Sequence, residues 1–296
     1  MKIKTVKHLS IPSQSVVRYK KTGNISEIMN MESWPKGTTI KKLNKDQYLN
    51  LKTGEVHEFK HIADRSEDLK SVVRSLTRGR DLINSNVDDP SYCRWLTLTY
   101  KENMTDTKRL NRDFKKFLIA AKKKYGYFKY ITAAEPQKRG AWHLHVLLIF
   151  NHPAPFMKNE DVAAIWRQGF VNIKKIDGIE NLGAYLTAYL GDLPVEDSDG
   201  VLAGEKKIKV VEVDGIKKSI IKGGRLHMYP PGFHIFRSSK GLKKPEVERI
   251  EYKDAKEKVA GASLILQETK TITDEKTGYS NRFSREIYNT ARLKNK

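Results

Sequence analysis

Between Trp95 and Ile176 the chain switches repeatedly between two hydrophobic periods. In Trp95-Leu96-Thr97-Leu98-Thr99-Tyr100, Leu96, Leu98 and Tyr100 fall at every second position, the period of a half-buried strand. Thr105 or Asp106 then caps a helix. Leu110, Phe114, Phe117, Leu118 and Tyr125 recur on one of its faces, and Gly126 ends it. Tyr127 to Glu135 reads as a second strand, Pro136 to Gly140 as a turn, and Trp142 to Phe150 as a third strand. So short a connection predicts an antiparallel hairpin. A helix over 159–168 turns Val162, Ile165 and Trp166 inward, and Gly169 leads into a strand from Phe170 to Ile176. The order is βαββαβ. It predicts an α+β fold with a ferredoxin-like core: an antiparallel sheet of four strands, two helices on one face, and the other face open for a site.

Outside this core the pattern is weaker. A helix is expected from Ser66 as N-cap, with Glu67 and Asp68 in its first turn. Its stripe is Leu69, Val72, Val73, Leu76 and Ile83, and Asn84-Ser85-Asn86 closes it. Glu180 to Gly191 reads as a helix with Leu182, Leu186 and Leu190 on one side. Asp192 to Gly204 is acidic and reads as an exposed insertion, and 206–222 as a hairpin around Asp214-Gly215. Phe233 to Arg237 looks like one more strand. Residues 1–60 hold turn signals at Lys21-Thr22-Gly23-Asn24, Pro35-Lys36-Gly37 and Lys52-Thr53-Gly54, with no chemistry evident. Beyond Lys240 the chain is basic, and a last helix is expected near Phe283 to Leu293.

Composition changes this picture mainly through charge. The 296 residues carry 56 Lys and Arg against 35 Asp and Glu, a net charge of +21, which points to a polyanionic partner and first to nucleic acid. The single cysteine, Cys93, cannot form an internal disulfide and suggests a reducing compartment. No apolar segment follows Met1-Lys2-Ile3-Lys4, and the longest strongly apolar runs are about five residues, so neither a signal peptide nor a membrane span is expected.

The candidate chemistry sits on the third strand. His143 and His145 share one face of Trp142-His143-Leu144-His145-Val146-Leu147-Leu148-Ile149-Phe150, about 7 Å apart along it. Glu135, at the end of the neighbouring hairpin strand, faces the pair across the turn. Two imidazoles and a carboxylate make an open site of N and O donors that suits Mg²⁺ or Mn²⁺ as well as Zn²⁺. Tyr185 and Tyr189, four apart, share a face of their helix and flank its leucine stripe. A tyrosine hydroxyl becomes a plausible nucleophile beside a metal-polarised phosphate. Each member taken alone has an ordinary use: half-buried histidines, a turn-capping carboxylate, amphipathic-helix packing.

Three ordered motifs then resemble the rolling-circle replication initiators (Rep proteins) of the HUH endonuclease superfamily, encoded by plasmids and phages. Trp95 to Tyr100 resembles the first motif. His143-Leu144-His145, preceded by Glu135-Pro136-Gln137-Lys138-Arg139-Gly140-Ala141-Trp142, resembles the histidine motif, and Tyr185 to Tyr189 the tyrosine motif. Asp81-Leu82-Ile83-Asn84 and the stretch from Tyr229-Pro230 to Lys244-Pro245 fit the same group. The resemblance divides the chain into an N-terminal extension (1–60), an HUH endonuclease domain (61–246) and a basic C-terminal extension (247–296). It implies a metal-dependent, site-specific DNA endonuclease and strand transferase. His143, His145 and Glu135 would hold Mg²⁺ or Mn²⁺. Tyr185, first in its motif, would attack the scissile phosphate to give a 5′-phosphotyrosine and a free 3′-OH, with Tyr189 as a second nucleophile or a packing residue. Relatives often carry a lysine three residues after the first tyrosine. This chain has Ala188 there, so that role is absent or supplied elsewhere.

The expected substrate is single-stranded or hairpin origin DNA. Lys70, Arg74, Arg78, Arg80, Lys108, Lys122 to Lys124, Lys138 and Arg139 are candidates for its phosphates, whereas Trp142 and Tyr100 are expected in the core. No Walker A loop occurs, so host helicase and polymerase are expected partners, in a bacterial cytoplasm. A relaxase or a single-strand transposase would use the same chemistry. A non-catalytic nucleic-acid-binding module is the alternative of another class.

Overall fold

A computed structural model describes residues 2–6, 9–35, 37–63, 65–176, 193–194, 208–213, 216–221, 225–275 and 277–293. In chain order its strands begin with β1 (Lys2–Val6), β2 (Val16–Thr22), β3 (Ile25–Met31), β4 (Ile40–Lys42), β5 (Gln47–Asn50) and β6 (Val56–Glu58). Helix α1 (Leu69–Asn84), β7 (Cys93–Thr99), α2 (Thr107–Tyr125), β8 (Phe128–Pro136), β9 (Trp142–Phe150), α3 (Asn159–Trp166) and β10 (Val171–Lys174) follow. The remainder is β11 (Leu193–Pro194), β12 (Ile208–Val213), β13 (Ile216–Ile221), β14 (Phe236–Ser238), β15 (Glu246–Glu251), α4 (Tyr252–Lys258), β16 (Ala262–Asp274) and β17 (Tyr279–Leu293). The chain forms two compact units, 62–243 and 1–61 with 244–296.

In the unit spanning 62–243 the sheet order is β10-β7-β9-β8-β14, with every pair antiparallel. Numbered within βαββαβ, the first four strands lie in the order 4-1-3-2, so the unit is α+β and compatible with a ferredoxin-like core. Helix α2 starts where Asp106 accepts from Lys108 N at 2.7 Å, and stops at Gly126, whose φ of 84° opens the left-handed turn. Its Leu110, Phe114, Phe117 and Ala121, with Val162 and Trp166 of α3, pack on Leu96, Leu98, Leu144, Val146, Leu148 and Phe150. Each large side chain buried this way contributes roughly 1.5–3 kcal/mol. Tyr100 and Trp142 lie in the same core.

The second sheet face is not open along its whole length. Leu82 and Ile83 of α1 pack with Cys93, Ile131 and Leu147, so α1 covers one half and leaves the half bearing the histidines. Strand β9 foretells this: Leu147 and Ile149 continue the histidine face as apolar positions, and apolar positions on both faces require cover on both. Helix α1 begins later than expected. Asp68, not Ser66, caps it by accepting from Ser71 N at 3.0 Å, and Val73 is exposed, off the stripe of Val72, Leu76 and Ile83. The expected hairpin is present as β12 and β13, while the segment Glu180–Gly191 with Tyr185 and Tyr189 lies outside the described residues.

The two stretches read as separate terminal extensions share one sheet of order β1-β16-β17-β3-β2-β15. Helix α4 covers it through Ala255 and Val259, packed on Val17, Tyr19, Ile28 and Tyr288. Strands β4, β5 and β6 form a small sheet of their own. The helix expected near Phe283 to Leu293 is instead strand β17, paired with β16 and β3. Its buried positions include Ser284, Glu286 and Tyr288, spaced by two but largely polar, so no hydrophobic alternation marks the strand. Glu286 is satisfied there by Tyr252 Oη at 2.9 Å, Tyr288 Oη at 2.5 Å and Gln267 Nε2 at 3.3 Å.

Candidate metal centre

Register sets the site. In the β8–β9 ladder Glu135 pairs with His143 and Ala133 with His145; in the β7–β9 ladder Thr99 pairs with His143 and Thr97 with His145. Paired residues share a face, so the carboxylate and both imidazoles lie on the half of the sheet that α1 leaves clear. The rings of His143 and His145 meet edge to face with centroids 4.6 Å apart. Glu135 Oε2 lies 3.0 Å from His143 Nε2 and 3.1 Å from His145 Nε2.

Neighbours fix the imidazoles. Trp95 stacks on His145, with ring centroids 5.5 Å apart and planes 10° from parallel, and Thr97 Oγ1 lies 3.3 Å from His145 Nδ1. With Nδ1 engaged by the threonine, Nε2 is the nitrogen aimed at the centre.

Arg225 completes the constellation. Its Nη1 donates to Glu135 Oε1 at 2.5 Å, so one carboxylate oxygen serves the guanidinium and the other faces the histidines. The turn that carries it is anchored from behind. Leu226 and Tyr229 are buried, Tyr229 Oη donates to Ala134 O at 3.1 Å, and its ring packs on Trp142 with centroids 5.6 Å apart. Arg225 was not singled out in the sequence, where it is one basic residue among many. The only local signal is its place before the buried Leu226 and Tyr229.

The electrostatics follow from burial and charge. Burial alone would raise the pKa of Glu135. Hydrogen bonds from His143 and His145 and their positive charge outweigh it and hold the carboxyl well below its ordinary range. Burial, together with the charges of His145 and Arg225, pushes His143 below its ordinary value against the pull of Glu135. Burial pushes the Tyr229 phenol up, and Glu135 adds to the effect.

Glu135, His143 and His145 could hold a metal ion: their ligating atoms all lie within 4.8 Å of one another. The donor set fits a divalent cation, with one anionic oxygen and two imidazole nitrogens on one side and nothing of the sheet on the other. The structure thus brings together the three expected ligands. Tyr185 and Tyr189, the expected nucleophiles, are not among the described residues. No helix among the described residues is long and apolar enough to cross a membrane.

Residues 93–193, about a third of the chain, match a family model for replication-associated proteins of the ORF2 type. The match supports a replication initiator. It spans Glu135, His143, His145, Tyr185 and Tyr189, and ends before Arg225. No curated protein matches the chain.

Proposed function

We propose that the chain initiates rolling-circle replication by nicking and rejoining single-stranded or hairpin origin DNA, as an HUH endonuclease of plasmid or phage type. The observation that carries the reading is the convergence of Glu135, His143 and His145 on one sheet face, within a stretch that matches a replication-associated family. A family described by replication favours initiation over conjugative relaxation or transposition. The net charge of +21 supports a polyanionic substrate.

Mg²⁺ or Mn²⁺ held by His143 Nε2, His145 Nε2 and Glu135 Oε2 would supply Lewis-acid polarisation of the scissile phosphate. The chain's own groups do the rest. Tyr185 Oη attacks phosphorus: the Oη–P bond forms, the P–O3′ bond breaks, and the phenolic proton is lost as the 3′-OH is released. Attack of a 3′-OH on the phosphotyrosine reverses both bonds and rejoins the strand. Tyr189 stands second in the motif. Arg225 brings a guanidinium to the site where Ala188 offers no cation, and a fork of that kind suits phosphate oxygens. Host helicase and polymerase would extend the 3′-OH in the bacterial cytoplasm.

The test is Tyr185→Phe and Tyr189→Phe, singly and together, in Mn²⁺-dependent nicking of origin DNA, with the covalent protein–DNA adduct scored on denaturing gels. Loss of nicking and adduct in Tyr185→Phe and in the double variant is expected. Nicking that survives the double substitution removes the tyrosine mechanism. Binding without any adduct, under every divalent ion, leaves a non-catalytic nucleic-acid-binding module.

A further inference from the structure

Beside α1 and β14 lies a cavity of about 200 Å³ whose polar lining is Arg65, Ser75, Arg78, His234, Arg237 and Ser238, with no carboxylate. Three guanidinium groups of one sign therefore share a small space. Among the described residues none of the three has an acidic partner within ion-pair distance. Arg237 is half-buried. Its Nη1 donates to Asn111 Oδ1, a neutral acceptor, and its guanidinium lies 5.2 Å from the centre of the Phe233 ring. Arg65 donates from Nη2 to Phe233 O at 2.7 Å and from Nη1 to Ser71 Oγ at 3.2 Å, while its buried Nε has no partner. Gathering like charges in partly dehydrated positions is costly unless an anion offsets them.

The packing that builds the cavity is specific. A Cβ on Gly79 would lie 2.7 Å from the Phe236 ring, so only glycine lets α1 approach β14 this closely. Ser75 and Arg78, on the adjoining turns of α1, are thereby brought to the cavity.

We propose that this cavity is a phosphate subsite that holds a phosphodiester of single-stranded DNA between the guanidinium groups of Arg65, Arg78 and Arg237; this rests on the DNA-processing reading above. Guanidinium forks match the paired oxygens of a phosphate, and Ser75 and Ser238 add neutral donors. Arg78, His234 and Ser238 are exposed at the rim, so the cavity opens to solvent and admits a phosphate whose chain continues on both sides. Its position suits a strand that also reaches the histidines. Phe236 pairs with Ala133, which pairs with His145, so two strand spacings, roughly 10 Å, separate the two places.

The test uses the full chain and fluorescence anisotropy of a labelled mixed-sequence single-stranded oligonucleotide, titrated across a series of KCl concentrations. Arg78→Ala and Arg237→Gln are each expected to weaken binding about tenfold, the scale of one charge-assisted hydrogen bond. Each should also reduce the slope of log affinity against log salt by about 0.7. Arg78→Lys should keep the slope and lose part of the affinity. Circular dichroism and Mn²⁺ binding should match wild type, and Arg78, being exposed, keeps the test free of folding defects should Arg237→Gln fold poorly. Wild-type affinity and slope in Arg78→Ala would overturn the subsite and leave the DNA reading standing. A wild-type chain that binds no oligonucleotide would overturn both. Inorganic phosphate is titrated in parallel by thermal shift. Stabilisation of the wild type but not the double variant, without oligonucleotide binding, would mean a free-phosphate site and overturn the DNA assignment.

Discussion

Glu135 and His143 face each other directly across the β8–β9 ladder, and their side chains meet at 3.0 Å. The tight hairpin makes this possible: Gln137 N donates to Ala141 O at 2.8 Å, which locks the register in which Pro136 pairs with Trp142. A slip of one residue would turn the carboxylate to the opposite face.

Glu135→Gln keeps the shape and removes the anionic donor. Mn²⁺ binding, measured by calorimetry or paramagnetic resonance, should weaken at least tenfold, since even residues that only support a ligand cost about 10–100-fold. Unchanged affinity would remove Glu135 from the ligand set.

Arg225→Met should act through Glu135. It leaves a buried carboxylate oxygen without its 2.5 Å donor and frees the carboxylate to turn. A loss of about 10–100-fold in Mn²⁺ affinity is expected, with partial recovery in Arg225→Lys. Equal affinity in all three proteins would show that the guanidinium does not position Glu135.

Gly169→Ala should destabilise the sheet beside His143. The new Cβ would stand 2.6 Å from Lys101 N and 2.7 Å from Thr99 O, all backbone that cannot swing aside. Thr99 is the ladder partner of His143. Urea unfolding should show a loss of about 1–3 kcal/mol, the usual scale of overpacking, and a variant as stable as wild type would contradict that packing.

Glu27 should give the terminal unit an acid limb. Burial pushes its pKa up, but the charges of Lys20, Arg285 and Arg18 and the hydrogen bond from Arg285 prevail and hold it below the ordinary 4.5. A carboxyl with a lowered folded pKa contributes stability that is present above 4.5 and lost as pH falls through the folded value. Glu27→Gln should therefore cost about 3 kcal/mol at neutral pH, as for a broken buried pair. The cost should shrink in acid, and a penalty independent of pH from neutral to strongly acidic solution would refute the assignment.

Cys93 should be inert in the folded chain. It is fully buried, and burial, with the charge of Asp89, pushes its thiol up to about 12. Iodoacetamide at mildly alkaline pH should label it only after denaturation. Rapid labelling of the native protein would show that β7 opens.

Whatever rests on local periodicity was legible in the sequence. Helix α2, the hairpin of β8 and β9, and the shared face of His143 and His145 follow from spacing, because side-chain direction repeats every 3.6 residues in a helix and every second residue in a strand. The partner of the two histidines was equally legible, since a short turn leaves few registers in which Glu135 can face them. What depends on distant segments emerged only when the chain was folded. Arg225 reaches Glu135 across 90 residues of chain. Helix α1 covers half the site face through Leu82 and Ile83. Strand β17 hides its period because Ser284 and Glu286 face inward and are satisfied by partners elsewhere in its own unit, such as Thr269 and Tyr252. A buried polar residue looks the same in sequence as an exposed one until the group that satisfies it is brought alongside.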